Sequence, residues 1–353
     1  MGLATAPRGT IEVRAGHRFD VAALERYLRE RLAGFVGPVE VRQFEGGQSN
    51  PTFHLAAASG AYVLRKKPPG RLLPSAHAID REFRVLETLA GSAVPVARPR
   101  LYCGDAAIIG TAFYVMDYVP GRIFADPLLP GMSAAARGAI YDAMNGTLAA
   151  LHLFDWRAAK LEDFGRSENY AARQIARWSK QYAETKTKDV PAMDRLQRWL
   201  EERIPPGEVA ALVHGDFRLG NLIFHDSESR VVAVLDWELA TLGHPFADLA
   251  YNCMAYHWPA GHQVAPGFEG IDIGSLGIPA EDAYVAAYAR RTGRDAAQDF
   301  TFFLAFSLFR VAAIQQGVYA RSLQGNASSA TAARFGAAFE MVAERAWNLV
   351  AGR

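Results

Sequence analysis

The stretch LVHGDFRLGNLIFHDSESRVVAVLDWELA, Leu212 to Ala240, sets Asp216, Asn221 and Asp236 among residues that belong in a core. Two apolar runs, AALVHGD from Ala210 and VVAVLDWE from Val231, stand either side of the polar turn HDSESR at 225–230. β-Branched residues bounded by turn residues predict strands. The first run ends on Asp216, and the unbroken apolar part of the second, VVAVL, ends at Asp236.

Working outward, 20 to about 35 (DVAALERYLRERLAGF) repeats apolar residues at helical spacing behind an Asp that can cap the first turn. Alternating segments with Gly pairs follow through VEVRQFEGGQSNPTFHLAAASGAYVLRKKPPG and predict a small antiparallel sheet. AHAIDREFRVLETLAG is helical and stops at Gly91; AVPVARPRLYCGD and TAFYVMDYVPG read as two further strands joined by a turn. Beyond Gly121 the pattern is mainly helical, over Ser133–Phe154, Ser167–Glu184, Ala192–Glu202, Ala280–Arg291, Asp299–Tyr319 and Ser328–Val350. A strand-rich first third before a helical remainder predicts an α+β protein of two lobes. The expected division is 1–116 and 117–353, with the boundary near Met116 to Gly121.

Composition narrows the function. Lys and Arg number 38 against 37 Asp and Glu, so no charge excess argues for nucleic acid or an anionic membrane as partner. Cys103 and Cys253 lie far apart, without the spacing of a disulfide framework or a cysteine zinc site, and the expected compartment is a reducing cytoplasm. The first twenty residues have no apolar core and read as an arm before the first helix. FTFFLAFSLFRVAAIQQG, from Phe300, is interrupted by Arg310 and reads as a buried helix rather than a membrane span.

His214-Gly215-Asp216, four residues and then Asn221 have the spacing of a kinase-type catalytic loop, and Asp236 follows fifteen residues after Asn221, as a metal-binding Asp at a strand end would. Moving a γ-phosphoryl group needs a carboxylate to take the proton of the attacking hydroxyl, and oxygen ligands to hold Mg²⁺ against the phosphates. Asp216 fits the first need, Asn221 and Asp236 the second. Apolar runs on either side hold such groups rigidly, and rigidity matters because most of the rate comes from positioning and electrostatics.

The first third offers the complementary parts. Gly46-Gly47-Gln48-Ser49-Asn50 lies between two expected strands, where small residues let backbone N–H groups approach phosphates; the same residues also suit a plain hairpin turn. YVLRKK ends a strand with cations, and AIDREFRVLETL places Glu82 on the next helix as an ion-pair partner. Alternation puts Arg65 and Lys67 on one face and Lys66 on the other. Arg65 is favoured as the phosphate cation, with Lys66 and Lys67 as rivals or as a solvated strand end. Glu238 shares a face with Asp236 if the strand continues, and is either an extra acidic group near the metal or a solvated strand end.

These motifs, with REFRVLETL, FYVMDYVPG, LAALHLFDW and VLDWELATLGHPFADLA, resemble the aminoglycoside phosphotransferase and choline kinase-like family, small-molecule kinases of the protein-kinase-like fold. The resemblance covers nearly the whole chain. It implies a small antiparallel-sheet N-lobe and a larger helical C-lobe, ATP and Mg²⁺ as cosubstrate and metal, Asp216 as catalytic base, and Asn221 and Asp236 as metal ligands. It also implies that Met116, Asp117, Tyr118 and Val119 form the hinge that receives adenine, and that Asp248 supports the catalytic loop. His152 and Asp155 match the family's helix-end pattern and are read as structural. The chain departs from the family where Arg65 stands in place of Lys, and the two cations are not interchangeable.

The acceptor is a small hydroxylated metabolite on this reading. From Gly243 to Arg353 nine acidic residues stand against eight Arg, which is not the acidic surplus a polycationic aminoglycoside calls for. The segments quoted above resemble most closely the kinase-like domain fused to acyl-CoA dehydrogenases, which implies a hydroxyacyl-CoA or hydroxy acid as acceptor. Arg122, Arg310 and Arg321 are cations that such an anion could meet, or else solvated helix residues. Two alternatives stand beside this one: an aminoglycoside or amino-alcohol kinase, and a non-catalytic nucleotide-binding module, which has no chemical need for Asp216. Oligomeric state is open.

Overall fold

The computed structural model describes residues 7, 9–45, 50–68, 78–207, 209–261, 266–296, 299–323 and 335–352. They form two compact units, Met1–Arg122 with Val232–Ala240, and Ile123–Val231 with Thr241–Arg353. The first unit is thus not contiguous in sequence, which a single linear division does not anticipate.

In the first unit β1 (Thr10–Ile11) precedes α1 (Val21–Arg31), whose N-terminus is capped by the Asp20 carboxylate accepting from the Ala23 N–H at 2.9 Å. Then come β2 (Glu40–Phe44), β3 (Thr52–Ala57), β4 (Gly60–Lys66), α2 (Ile79–Leu89), β5 (Pro99–Cys103), a short α3 (Ala106–Ile109) and β6 (Phe113–Asp117). The strands make one antiparallel sheet in the order β1-β2-β3-β4-β6-β5. Period-two alternation sorts its side chains. Phe53, Leu55, Tyr62, Leu64, Phe113 and Val115 join Leu24 and Leu28 of α1 in one core. Arg65 and Tyr114, directly paired across β4 and β6, take the other face. The turn expected before β6 contains α3, capped by Asp105 and closed by Gly110 in the left-handed conformation.

The second unit begins with α4 (Ala134–Leu153), capped by Ser133, then α5 (Tyr170–Thr185) and α6 (Pro191–Glu202). Short strands β7 (Ala211–Val213) and β8 (Leu222–Phe224) follow, and β9 (Val231–Val234) leads back into the first unit. β10 (Thr241–Gly243), absent from the sequence reading, pairs antiparallel with β7, Leu242 opposite Leu212. The remaining helices are α7 (Pro245–Asn252), α8 (Glu281–Thr292), α9 (Phe300–Leu323) and α10 (Phe335–Val350). α9 packs on α10, α5, α7 and α6, and α4 packs on α8. Among the described helices α9 alone is long and apolar enough to cross a bilayer, yet 78% of its most apolar window is buried in the protein, as a core helix requires.

Candidate active site

In the second unit β7 delivers the chain to His214, Gly215 and Asp216. Gly215 has φ +83°, a conformation that glycine adopts without strain, and it turns the backbone so that Asp216 leaves the strand. Asp248, in the first turn of α7, takes both loop amides: Oδ2 accepts from the His214 N–H at 2.5 Å and Oδ1 from the Gly215 N–H at 2.8 Å. Burial alone would raise the Asp248 carboxyl. The hydrogen bond and charge of His152, the charge of His214 and the His214 N–H outweigh burial and hold it below the usual range. His152, fully buried near the end of α4, meets Asp248 at 3.4 Å through Nε2 and the Tyr288 hydroxyl at 2.7 Å through Nδ1. Asp155 caps the following turn, accepting from the N–H groups of Arg157 and Ala158.

Asn221, at the end of a 3₁₀ turn over Leu219–Asn221, donates from Nδ2 to Asp216 Oδ2 at 2.8 Å and to the Asp216 carbonyl at 2.9 Å. Arg218 Nε lies 3.3 Å from the same Oδ2. One carboxylate oxygen of Asp216 is therefore fixed by two donors.

In the first unit Glu82 of α2 is the hub. Its Oε2 lies 2.8 Å from Arg65 Nε and accepts from the Tyr114 hydroxyl at 3.0 Å; its Oε1 accepts from Asn50 Nδ2 at 2.8 Å. Arg65 NH2 continues to Asp236 Oδ1 at 2.7 Å and stands 3.8 Å from Glu238 Oε2. Burial raises the Glu82 carboxyl to about 7, against the lowering effect of Arg65 and Tyr114 and with Asp236 and Glu238 adding to the rise. Burial pushes Arg65 the other way, but the charges of Glu82 and Asp236 raise it on balance, so it stays a cation. An Arg here reaches two carboxylates with separate nitrogens, which a Lys ammonium does as a single point charge.

Of the rival cations, Lys66 points to the core face: its ammonium lies 5.4 Å from the Phe19 ring centroid and 5.9 Å from that of Phe53, and burial lowers it. Lys67 follows the end of β4, its N–H donating to the Ala112 carbonyl. Gly46, Gly47, Gln48 and Ser49 lie outside the described residues. Asn50 is fully buried against Glu82.

β9 stops at Val234. Asp236 has φ +65° and ψ +58°, left-handed values that a short Asp side chain tolerates, and a 3₁₀ turn over Trp237–Leu239 follows. Asp236 and Glu238 are therefore not neighbours on one strand face; both reach Arg65 instead.

Met116 and Asp117 end β6, and Tyr118 and Val119 follow as irregular backbone. The Asp117 carboxylate is taken by Arg100 in a two-pronged pair at 2.6 and 2.7 Å, and the Tyr118 N–H donates to the Ala61 carbonyl. The Tyr118 ring sits edge-on to His54 at 5.0 Å.

Among the described residues no three His, Cys, Asp or Glu side chains gather into a metal cage. Mg²⁺ does not ask for one: it takes one or two protein oxygens and completes its shell with water and phosphate. Asp236, with 35% of its side chain exposed, offers a carboxylate of that kind. Asn221 offers an amide oxygen, its nitrogen being committed to Asp216.

Sequence reading missed Tyr114, which cross-strand register with Arg65 would have nominated. Of the three arginines offered as anion contacts or solvated helix residues, Arg310 is buried, 8% exposed. Arg321 is exposed and Arg122 half-buried.

A model of the phosphotransferase enzyme family matches residues 40–301. Mouse (Mus musculus) acyl-CoA dehydrogenase family member 10 is 50% identical over 327 residues, which make up 92% of this chain and 31% of the mouse protein. The chain thus spans about a third of the length of that relative. A crystal structure from Ralstonia eutropha, classed with the aminoglycoside phosphotransferases, superposes with a TM-score of 0.87 at 48% identity, covering 94% of this chain and 98% of that one. The aminoglycoside phosphotransferase APH(4)-Ia, solved as a ternary complex with ADP and hygromycin B, shares the fold at a TM-score of 0.60 and 17% identity, over 94% of this chain and 100% of that one.

Proposed function

Since the chain belongs to the phosphotransferase enzyme family, with a kinase-like fold, we propose that it is an ATP- and Mg²⁺-dependent O-kinase that phosphorylates a hydroxyl of a small metabolite, a hydroxyacyl-CoA or a free hydroxy acid. The observation that carries this reading is the Asp216–Asn221 clamp on a loop whose amides are held by Asp248. A carboxylate that must act at a fixed point gains from such support.

In the proposed reaction the acceptor hydroxyl donates its hydrogen bond to Asp216. Its oxygen attacks the γ-phosphorus, the bond from that phosphorus to the bridging oxygen breaks, ADP leaves, and Asp216 takes the proton. Asn221 orients Asp216. Arg65, held by Glu82, neutralises phosphate charge, and Glu82 is itself set by Tyr114 and Asn50. Asn221 and Asp236 are the residues that would hold Mg²⁺, which when bound supplies positive charge to the phosphates. Gly46 to Asn50 would cover the phosphates, and Met116 to Val119 would receive adenine.

The acyl-CoA part of the proposal rests on the mouse relative's name and on the balance of charge in the helical unit. ADP release is the direct test, with hydroxyacyl-CoA thioesters, hydroxy acids, amino alcohols and aminoglycosides offered side by side. Turnover with a thioester or hydroxy acid is expected; turnover confined to aminoglycosides, or none with any acceptor, counts against it.

A further inference from the structure

Arg310, in the middle of α9, is a buried cation, 8% exposed. Among the described residues its Nε has no hydrogen-bond partner, and no carboxylate forms an ion pair with it. What surrounds it is aromatic: its guanidinium carbon lies 5.4 Å from the Trp178 ring centroid on α5 and 5.2 Å from that of Tyr251 on α7. Aromatic faces attract a cation but compensate only part of its lost hydration. Nor is the want of partners confined to Arg310: Trp178 Nε1 and Ser179 Oγ on α5 and Gln315 Oε1 on α9 are also buried and unpaired. Buried polar groups in proteins are almost always paired, so an unpaired buried guanidinium marks a place where something else supplies the partner.

Tyr251 lies on α7, whose Asp248 holds the amides of His214 and Gly215, and its neighbour Asn252 donates to the Phe217 carbonyl at 3.3 Å, so Arg310 packs on the helix that supports the loop carrying Asp216. Burial, the charge of Asp216 and a hydrogen bond to its carboxylate all raise the Tyr251 hydroxyl, while Arg310 and Arg218 lower it. Tyr251 thus carries Arg310 on its ring, on the same helix that fixes the Asp216 loop. Arg310 packs on the Tyr251 ring, and Arg218 Nε lies 3.3 Å from Asp216 Oδ2. That environment repels a polycation and draws an anion.

We propose that Arg310 is the specificity-determining residue of the acceptor site, binding a carboxylate or phosphate oxygen of a substrate whose hydroxyl, a short carbon chain away, meets Asp216. The inference rests on the O-kinase reading for the role of Asp216, and it narrows the acceptor to hydroxylated anions. Carboxylate and CoA phosphate present the same oxygen chemistry to a guanidinium, so the test separates them.

The experiment compares the wild type with Arg310→Gln and Arg310→Lys. Acceptors are short-chain hydroxyalkanoates, their CoA thioesters, and uncharged diols carrying the same hydroxyl. ADP release gives kcat and KM, calorimetry without ATP gives Kd, and thermal melts report folding. For the charged acceptors, Arg310→Gln is expected to raise KM and Kd by about tenfold or more with kcat little changed, as loss of a charge-assisted hydrogen bond does. The diols should be unaffected and Arg310→Lys should fall between; Arg310→Gln should not lower the melting temperature, because it removes a buried charge that no carboxylate offsets. An effect on free acids alone identifies the carboxylate as the group bound; an effect on thioesters alone identifies the CoA phosphates. Equal changes for diols and anions, or a lowered melting temperature with unchanged selectivity, overturn the proposal and make Arg310 a structural cation. Should no compound release ADP while anions still bind through Arg310, the O-kinase reading falls and the anion site stands; no binding by any anion overturns the site itself.

Discussion

Asp248 grips the backbone at His214: its carboxylate accepts the His214 and Gly215 amides at 2.5 and 2.8 Å, so a side chain on α7 fixes the turn on which Asp216 stands. Asp248→Ala leaves two buried N–H groups without acceptors and is expected to lose about 3 kcal/mol of stability or more, whereas Asp248→Asn, which keeps one acceptor oxygen, should lose about half of that. Urea denaturation measures both. An alanine variant that unfolds at the wild-type midpoint contradicts the role given to Asp248.

The Arg65–Glu82 pair is buried on both sides, with 11% and 2% of the side chains exposed, so the two residues must be strongly coupled. Arg65→Met strands Glu82 and Glu82→Gln strands part of Arg65; each single change should cost about 2–4 kcal/mol, and the double variant clearly less than their sum. A double-mutant cycle by chemical denaturation gives the coupling. Additive losses would mean that the 2.8 Å contact contributes nothing to folding.

His244 stacks on Phe303 at a centroid distance of 4.3 Å and caps α7, its Nδ1 accepting from the Phe246 N–H. Burial, with the charges of His152 and Arg294, lowers its imidazole to about 4. The unfolded chain protonates this His near 6.5 while the folded chain resists, so stability is complete above about pH 6.5 and falls as the pH drops towards about 4. The loss should reach up to about 3 kcal/mol. His244→Asn keeps a capping acceptor and cannot take the charge; its pH–stability curve should be flatter across that window, and a curve as steep as the wild type's would assign the loss to other groups.

Much of this was legible in the chain because it is written locally. Asp20, Ser133 and the apolar spacing behind them announce α1 and α4, and the spacing of Asp216, Asn221 and Asp236 singles out the two segments that hold them. What stayed hidden is long-range. Nothing in the sequence near Val232–Ala240 says that it returns to the first unit, where Asp236 meets Arg65, because that contact spans 171 residues. β10 is three residues long and too short to show a period of two. Whether Arg310 is solvated stayed open, because helical spacing does not say which side of a helix apolar nearly all round is buried.

Asp236 sits in a left-handed conformation that Asn also tolerates. Asp236→Asn should therefore fold normally while losing the charge that draws a divalent cation. Binding of ATP in the presence of Mg²⁺ should weaken on the order of tenfold, and binding without Mg²⁺ should change little. Calorimetry in the two conditions separates these, and equal affinities in both would remove Asp236 from the metal site.

The most direct test of the whole account is phosphoryl transfer by Asp216→Asn. This variant keeps the shape and the hydrogen bonds of the clamp and loses only the base. With an accepted hydroxylated substrate, kcat should fall by about 10²–10⁴-fold while ATP affinity stays within about twofold of the wild type. Turnover at the wild-type rate would contradict the account, because no other side chain has been given the proton.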